Sequence, residues 1–283
     1  MATATTRVSR FESHAGSARR ARALLQKHPV AVFRKCCTSL KDHDMLIGEK
    51  TDENRQKGTI MGETIQLTAA DGVTISAYLA IPAGHSRGGV VVIQEIFGVN
   101  DHIREVCDGY ARDGFTALAP AIFDRIEPGV ELGYDGTDME KGLELARGKL
   151  QLPKTMLDVQ AAIDHLGASG PVAMVGYCFG GLVCWLGSGQ LSGLSCVSGY
   201  YGGGIAGMLD LNPKVPTMLH FGDKDAHIPL SDVDSIKEAH KDVAVYVYDA
   251  DHGFNCDHRS SFNEAASRIA KERTLEFFEA NLS

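Results

Sequence analysis

A cysteine framed by glycines, an aspartate on one loop and a histidine on a later one are the side chains best placed to do covalent chemistry in this sequence. Val175-Gly176-Tyr177-Cys178-Phe179-Gly180-Gly181 sets Cys178 in a GxCxG frame, between the apolar run Val172-Ala173-Met174-Val175 and the helix-like stretch Leu182-Val183-Cys184-Trp185-Leu186. Such a frame is a nucleophile elbow, a sharp strand-to-helix turn in which close-packed chain leaves room only for small neighbours, here Gly176 and Gly180. The turn lifts the Cys178 side chain clear of the sheet. It also aims the amide of Phe179, in the first turn of the helix, at the place where an oxyanion would develop. A free thiol is only slightly ionised at neutral pH, so it needs a base, and the base needs an orienting acid. Asp225 follows the strand-like run Thr217–Gly222, and His252 follows Val243–Tyr248. Both lie on loops just past strand ends, and in an open parallel sheet such loops share one rim, where ligands bind.

The elements that must position these residues alternate between strands and helices. Thr64–Leu67 and Val73–Ala80 flank the turn dipeptide Asp71-Gly72 and read as an antiparallel hairpin at a sheet edge. Gly89–Ile93 is a short continuous apolar run of the buried parallel type, followed by a helix from about Asp101 to Arg112 that Asp101 can cap. Thr116–Pro120 is a further strand. A helix from about Pro153 to Leu166 carries Met156, Val159, Ile163 and Leu166 at helical spacing, and a terminal helix runs from about Ser261 to Leu282. Between Phe123 and Gln151 the apolar periodicity weakens and charges rise, as in an excursion that shapes a pocket mouth. The pattern predicts an α/β fold, a mostly parallel central sheet covered by helices on both faces.

The order nucleophile, acid, histidine is that of the α/β-hydrolase fold. Within it the chain resembles the dienelactone hydrolases, which carry cysteine in the elbow where most α/β-hydrolases carry serine. The likeness runs from about Met61 to the C-terminus. It rests on Gln94-Glu95-Ile96-Phe97-Gly98, on the elbow, on Gly199-Tyr200-Tyr201-Gly202, on the Asp225–Pro229 loop and on His252-Gly253-Phe254. The resemblance implies a triad of Cys178, Asp225 and His252, with the amides of Ile96 and Phe179 as oxyanion donors. It implies also that Glu95 is the resting partner of the thiol, whose carboxylate would disfavour a thiolate until substrate displaces it; the plainer reading of Glu95 is a solvated strand-end carboxylate.

Arg125 stands where the family places an arginine that holds a substrate carboxylate, and its planar fork suits that task, although a solvated surface arginine is the alternative. Tyr200, with Tyr201, is expected either to bind substrate at the pocket wall or to fill the core. One departure stands out. A second carboxylate-binding arginine is expected four residues past the histidine, but Cys256 occupies that position and Arg259 is out of register. The expected function is hydrolysis of a small ester or lactone, of the carboxymethylenebutenolidase type, through a thioester acyl-enzyme. A broad short-chain carboxylesterase and a non-catalytic thiol sensor are the alternatives.

Composition narrows the field further. The chain has 283 residues, enough for one large domain and an extension without disulfide staples. Its seven cysteines, an odd number without CxxC pairing, point to free thiols in a reducing compartment and away from a zinc site. A net charge of −8 gives no general attraction to nucleic acid, and no apolar run is long enough to span a bilayer. His220, Asp223, Asp225 and His227 are metal-ligand types at short spacing, but the triad accounts for Asp225 without a metal. Gly202-Gly203-Gly204 is too sparse for a phosphate loop and no GxxxxGK[ST] occurs, so neither cofactor nor metal is expected. The expected partner is a small molecule, and the expected state a monomer or small homo-oligomer. Residues 1–60 fall outside the resemblance that defines a domain over 61–283. From Arg7 to Lys41 they hold nine Lys or Arg against the single acid Glu12. The protein is expected in the cytoplasm, or in a mitochondrion or plastid if this basic segment is a transit peptide; the competing explanation is a true start at Met61, with the upstream stretch a gene-model artefact or a disordered tail.

Overall fold

The computed structural model of the protein describes residues 62–282, so the basic segment and the domain boundary at Met61 lie outside the described residues. Strands β1 (Glu63–Thr68) and β2 (Thr74–Ala80) form the expected antiparallel hairpin, pairing Glu63 with Leu79 and Thr68 with Thr74. Its turn uses Gly72 at φ +82°, a left-handed conformation that glycine adopts without a Cβ clash. The chain continues through β3 (Gly89–Ile93), α1 (Asp101–Arg112), β4 (Thr116–Pro120) and α2 (Gly136–Leu143). After a π-helical turn (Glu144–Lys149) come α3 (Leu152–Gly167), β5 (Val172–Tyr177), α4 (Phe179–Gln190), β6 (Leu194–Tyr200) and β7 (Thr217–Gly222). The last elements are α5 (Leu230–Ala239), β8 (Ala244–Tyr248) and α6 (Glu264–Asn281).

The eight strands lie in the order β1-β2-β4-β3-β5-β6-β7-β8. The β1–β2 and β2–β4 pairs are antiparallel; from β4 to β8 every neighbouring pair is parallel. This is an α/β-hydrolase fold. The apolar run of β3 explains why it sits near the centre, since alternate side chains of a strand feed opposite faces. Val90 and Val92 join the core that holds Tyr110 of α1 and Phe278 of α6. Val91 and Ile93 join the one that holds Val159 and Ile163 of α3. All four are fully buried, so both faces of the strand must be covered, as in parallel sheets generally. No helix among the described residues is long and apolar enough to cross a membrane.

Four local features differ from the sequence reading. Asn100, not Asp101, caps α1: its side-chain oxygen accepts from the Ile103 amide at 3.3 Å, while Asp101 pairs with Arg104 one turn on at 2.7 Å. The excursion after β4 is partly helical. Gly142 of α2 packs on the Ile96 carbonyl with no room for a Cβ, and a bridge between Gly98 and Glu131 ties the segment to the end of β3. Helix α5 was not legible because Val233 and Ile236 are its only buried residues, too few for a period. Helix α6 begins at Glu264, where Asn263 accepts from the Ala266 amide and caps it.

Candidate active site

Cys178 is the hinge between β5 and α4, and its backbone takes φ +54°, ψ −113°. Positive φ is uncommon in a residue that carries a Cβ, and such strain persists only where the surroundings over-determine it. They do so here. The Cys178 amide donates to the Tyr200 carbonyl at 3.0 Å, and the Cys178 carbonyl accepts from Gly181 at 3.0 Å. The glycines are needed for close approach: a Cβ on Gly176 would meet the Gly180 carbonyl, and one on Gly180 would meet the carbonyls of Ile93 and Gln94.

The thiol produced by this turn meets the loops after β7 and β8. Cys178 Sγ lies 3.1 Å from His252 Nε2, and His252 Nδ1 lies 2.7 Å from Asp225 Oδ2. The second carboxylate oxygen, Oδ1, accepts from the amides of His227 at 2.8 Å and Ile228 at 3.2 Å, which fixes the plane of the carboxyl group. An ionised carboxylate only accepts, so the Nδ1 proton points at Asp225 and Nε2 faces the thiol. Burial raises the Asp225 pKa, but the hydrogen bonds from His252 and the His227 amide outweigh it and leave it below the ordinary carboxylate value. Burial likewise favours neutral His252, yet its hydrogen bonds to Asp225 and Cys178 win and hold the ring up at about 10. The arrangement therefore sets Nε2 of a strongly basic imidazole against the thiol, in line to act as its base.

Glu95, 1% exposed, follows β3 beside this group. In the structure it is not bonded to the thiol: Oε1 faces Arg259 Nη1 at 3.4 Å, while Sγ is turned to His252. This is the geometry the resemblance assigns to a displaced Glu95, not to a resting one. Among the described residues no backbone acceptor outside regular elements takes the Ile96 or Phe179 amide, as suits groups kept for a ligand.

Arg259, out of register by linear spacing, reaches the site through the fold of its loop. Three successive turns, Cys256 N–H to Gly253 O at 2.9 Å, Arg259 N–H to Cys256 O at 3.1 Å and Phe262 N–H to Arg259 O at 3.1 Å, fold the loop back. They return the guanidinium to a position beside Gly253, where a Cβ would strike it, and 5.7 Å from the Tyr134 ring centre. Cys256 reaches Glu95 on this same loop and His102 from the first turn of α1, neither placement being visible in linear spacing. Burial lowers the His102 pKa and pushes the Cys256 thiol up to about 12.

Two expected substrate contacts are placed elsewhere. The Arg125 guanidinium is already spent, with Nε donating to Asp158 at 2.6 Å and its other nitrogens to Asp71 at 2.9 Å. It lines a surface groove with Ile122, Lys149, Leu150 and Lys154, none of them part of the triad. Because the Asp158 side chain is fully buried, Arg125→Ala should strand a buried carboxylate and destabilise the fold by about 3–5 kcal/mol. Chemical denaturation measures that loss, and KM for charged and neutral substrates should stay together in the folded fraction. Tyr200 is also not a pocket residue: it is fully buried, its hydroxyl 2.6 Å from Thr274 Oγ1 and its ring 4.4 Å from that of His220. Tyr201, at φ +37°, is the aromatic that reaches the triad, with its ring 5.1 Å from His252. The short-spaced metal-ligand types also separate. His220 uses both ring nitrogens inside the core, with Tyr248 at 2.8 Å and Thr274 at 3.1 Å, and burial lowers its pKa to about 3.

Comparison with known proteins agrees with this geometry. Residues 75–282 match the family model described as "Dienelactone hydrolase family". A candidate carboxymethylenebutenolidase of Synechocystis sp. is 34% identical over 232 residues, covering 74% of this chain and 92% of that protein. Carboxymethylenebutenolidase 1 of Cupriavidus pinatubonensis is 32% identical over 228 residues, covering 77% and 96%. A crystal structure from Klebsiella pneumoniae, described as a candidate dienelactone hydrolase, has a TM-score of 0.65 at 27% identity and covers 77% of this chain and 98% of that one.

Proposed function

This chain belongs to the dienelactone hydrolase family, and from that premise we propose that it opens small esters or lactones carrying a carboxylate beside the scissile bond. The observation that supports the reading most directly is the strained elbow that holds Sγ 3.1 Å from Nε2 with Asp225 behind the ring. In the proposed reaction His252 Nε2 takes the thiol proton and Cys178 Sγ adds to the acyl carbon. The displaced carbon–oxygen electron pair collects on the carbonyl oxygen, which the amides of Ile96 and Phe179 stabilise. Collapse breaks the bond to the ester or ring oxygen, that oxygen takes the proton from His252, and the acyl group stays on Cys178 as a thioester. A water that gives its proton to His252 then repeats the addition, and the second collapse frees the acid and restores the thiol.

The carboxylate preference rests on Arg259. It is the arginine beside the site, and its hold on Glu95 at 3.4 Å is long for a charge-assisted hydrogen bond, so its fork can turn to a bound anion. Arg259→Ala should lower kcat/KM for carboxylated lactones about ten- to a hundredfold, matching the roughly 1.5–3 kcal/mol of a hydrogen bond to a charged group. Neutral aryl esters should change little. Equal losses on both substrates would mean that Arg259 serves Glu95 alone, and the protein would be better described as a broad carboxylesterase. The thiol-sensor alternative needs neither Asp225 nor His252 in line with the cysteine, and both are there.

A further inference from the structure

Beside the triad, three side chains of different chemistry converge, two of them with unpaired polar atoms, while the Cys256 thiol has Tyr134 as a neighbour. A ligand-type atom from each of Glu95, His102 and Cys256 lies within 4.8 Å of the other two, and all three residues are buried. Glu95 Oε2 and both ring nitrogens of His102 have no hydrogen-bond partner. Leaving a buried polar atom unpaired costs about 1–3 kcal/mol, so an unpaired carboxylate oxygen and an unpaired ring nitrogen in one buried group call for an occupant. His102 Nδ1 does lie 3.3 Å from Asp257 Oδ1, though off the line of a hydrogen bond.

We propose that Glu95 Oε2, His102 Nε2 and Cys256 Sγ form a binding site for one divalent late-transition metal ion of the zinc class. Carboxylate, imidazole and thiolate together are ligands such ions prefer, and three protein ligands leave a fourth position open. Bond lengths of about 2.0–2.3 Å put tetrahedral ligand atoms ~3.3–3.8 Å apart, so the three need close by no more than ~1.5 Å, within reach of side-chain rotation. Asp257 stands behind the His102 ring where a carboxylate commonly orients a ligating histidine. As the metal–sulfur bond forms, Cys256 releases its proton to solvent and no electrons change hands. The Arg259 guanidinium faces the other Glu95 oxygen, Oε1, and leaves Oε2 to the ion. A second group, His102 with Asp257 and His258, shares the histidine, but its other two members are exposed and His258 is paired with Glu105 at 2.8 Å. Occupation would pin together the end of β3, the first turn of α1 and the loop that carries His252. The site stands on its own residues and does not depend on the substrate assigned above.

The test is metal binding by the full chain, stripped with a chelator and then titrated with Co2+ and Zn2+. The expected result is one ion per chain, a thiolate-to-cobalt charge-transfer band and an upward shift of the melting temperature with Zn2+. Cys256→Ser and His102→Ala should abolish the band and weaken binding by more than the ~10–100-fold that loss of an orienting partner costs. Asp257→Asn, at an exposed residue, should fall within that range and guards against a ligand variant that merely misfolds. Cys178→Ala and His258→Ala should bind as the parent does. If the parent binds no ion, or if Cys256→Ser keeps the band and affinity, the site is wrong. Loss of binding in Cys178→Ala would instead place the ion on the triad and would equally overturn it. None of these readouts involves hydrolysis, so they stand or fall separately from the proposed reaction.

Discussion

Cys178→Ala leaves a folded protein that no longer hydrolyses esters or lactones, the rate falling by about 10^6-fold, as when a serine hydrolase loses its nucleophile. No other group replaces the sulfur: His252 and Asp225 act through it, and the backbone donors only stabilise charge that it creates. The fold should survive, because alanine keeps the Cβ and the backbone at φ +54° and loses only an atom at the mouth of the site. Circular dichroism and denaturation should show stability within about 0.5 kcal/mol of the parent. Intact mass after rapid quenching should show an acyl adduct on the parent and none on the variant. Hydrolysis at the parental rate would end the covalent mechanism.

Asp225→Asn should cost about 10^4-fold in kcat, the loss seen when the acid of a comparable triad becomes an amide. Here the reason can be followed atom by atom. Oδ1 accepts from two amides, those of His227 and Ile228, so the asparagine oxygen is held on that side. Its NH2 group must then face His252 Nδ1, 2.7 Å away in the parent. Two donors cannot share that contact, and the ring shifts its proton to Nε2, where it confronts the thiol instead of accepting from it. The variant should therefore fold, bind substrate and fail at thiol activation. Alkylation of Cys178 by iodoacetamide should slow along with hydrolysis, and an unchanged alkylation rate would remove Asp225 from the triad.

The strand-and-helix alternation of residues 64–282 was legible because each element satisfies its local period: β3 is a continuous apolar run and α3 repeats every three to four residues. The elbow was legible for a stronger reason, since a residue that must adopt positive φ against packed backbone forces small neighbours, and Gly176 and Gly180 show it in the one-letter code. Helix α5 and the helical part of the excursion after β4 were not, because few of their residues are buried and tertiary packing, not periodicity, stabilises them.

By itself, the sequence determined the candidate chemistry: a thiol at a strained turn, followed by an acid and then a histidine, each just past a strand. Only the tertiary structure decided which charged side chains share the site. Arg125 sits one turn beyond a strand end yet is captured by Asp71 and Asp158, because a buried carboxylate draws the nearest fork more strongly than an open pocket can. Arg259, seven residues past the histidine by count, is brought back by three consecutive turns to face Glu95; the same loop carries Cys256, and the first turn of α1 supplies His102. Linear spacing measures contour length, whereas an ion pair or a metal site depends on distance through space, and a loop that folds on itself separates the two.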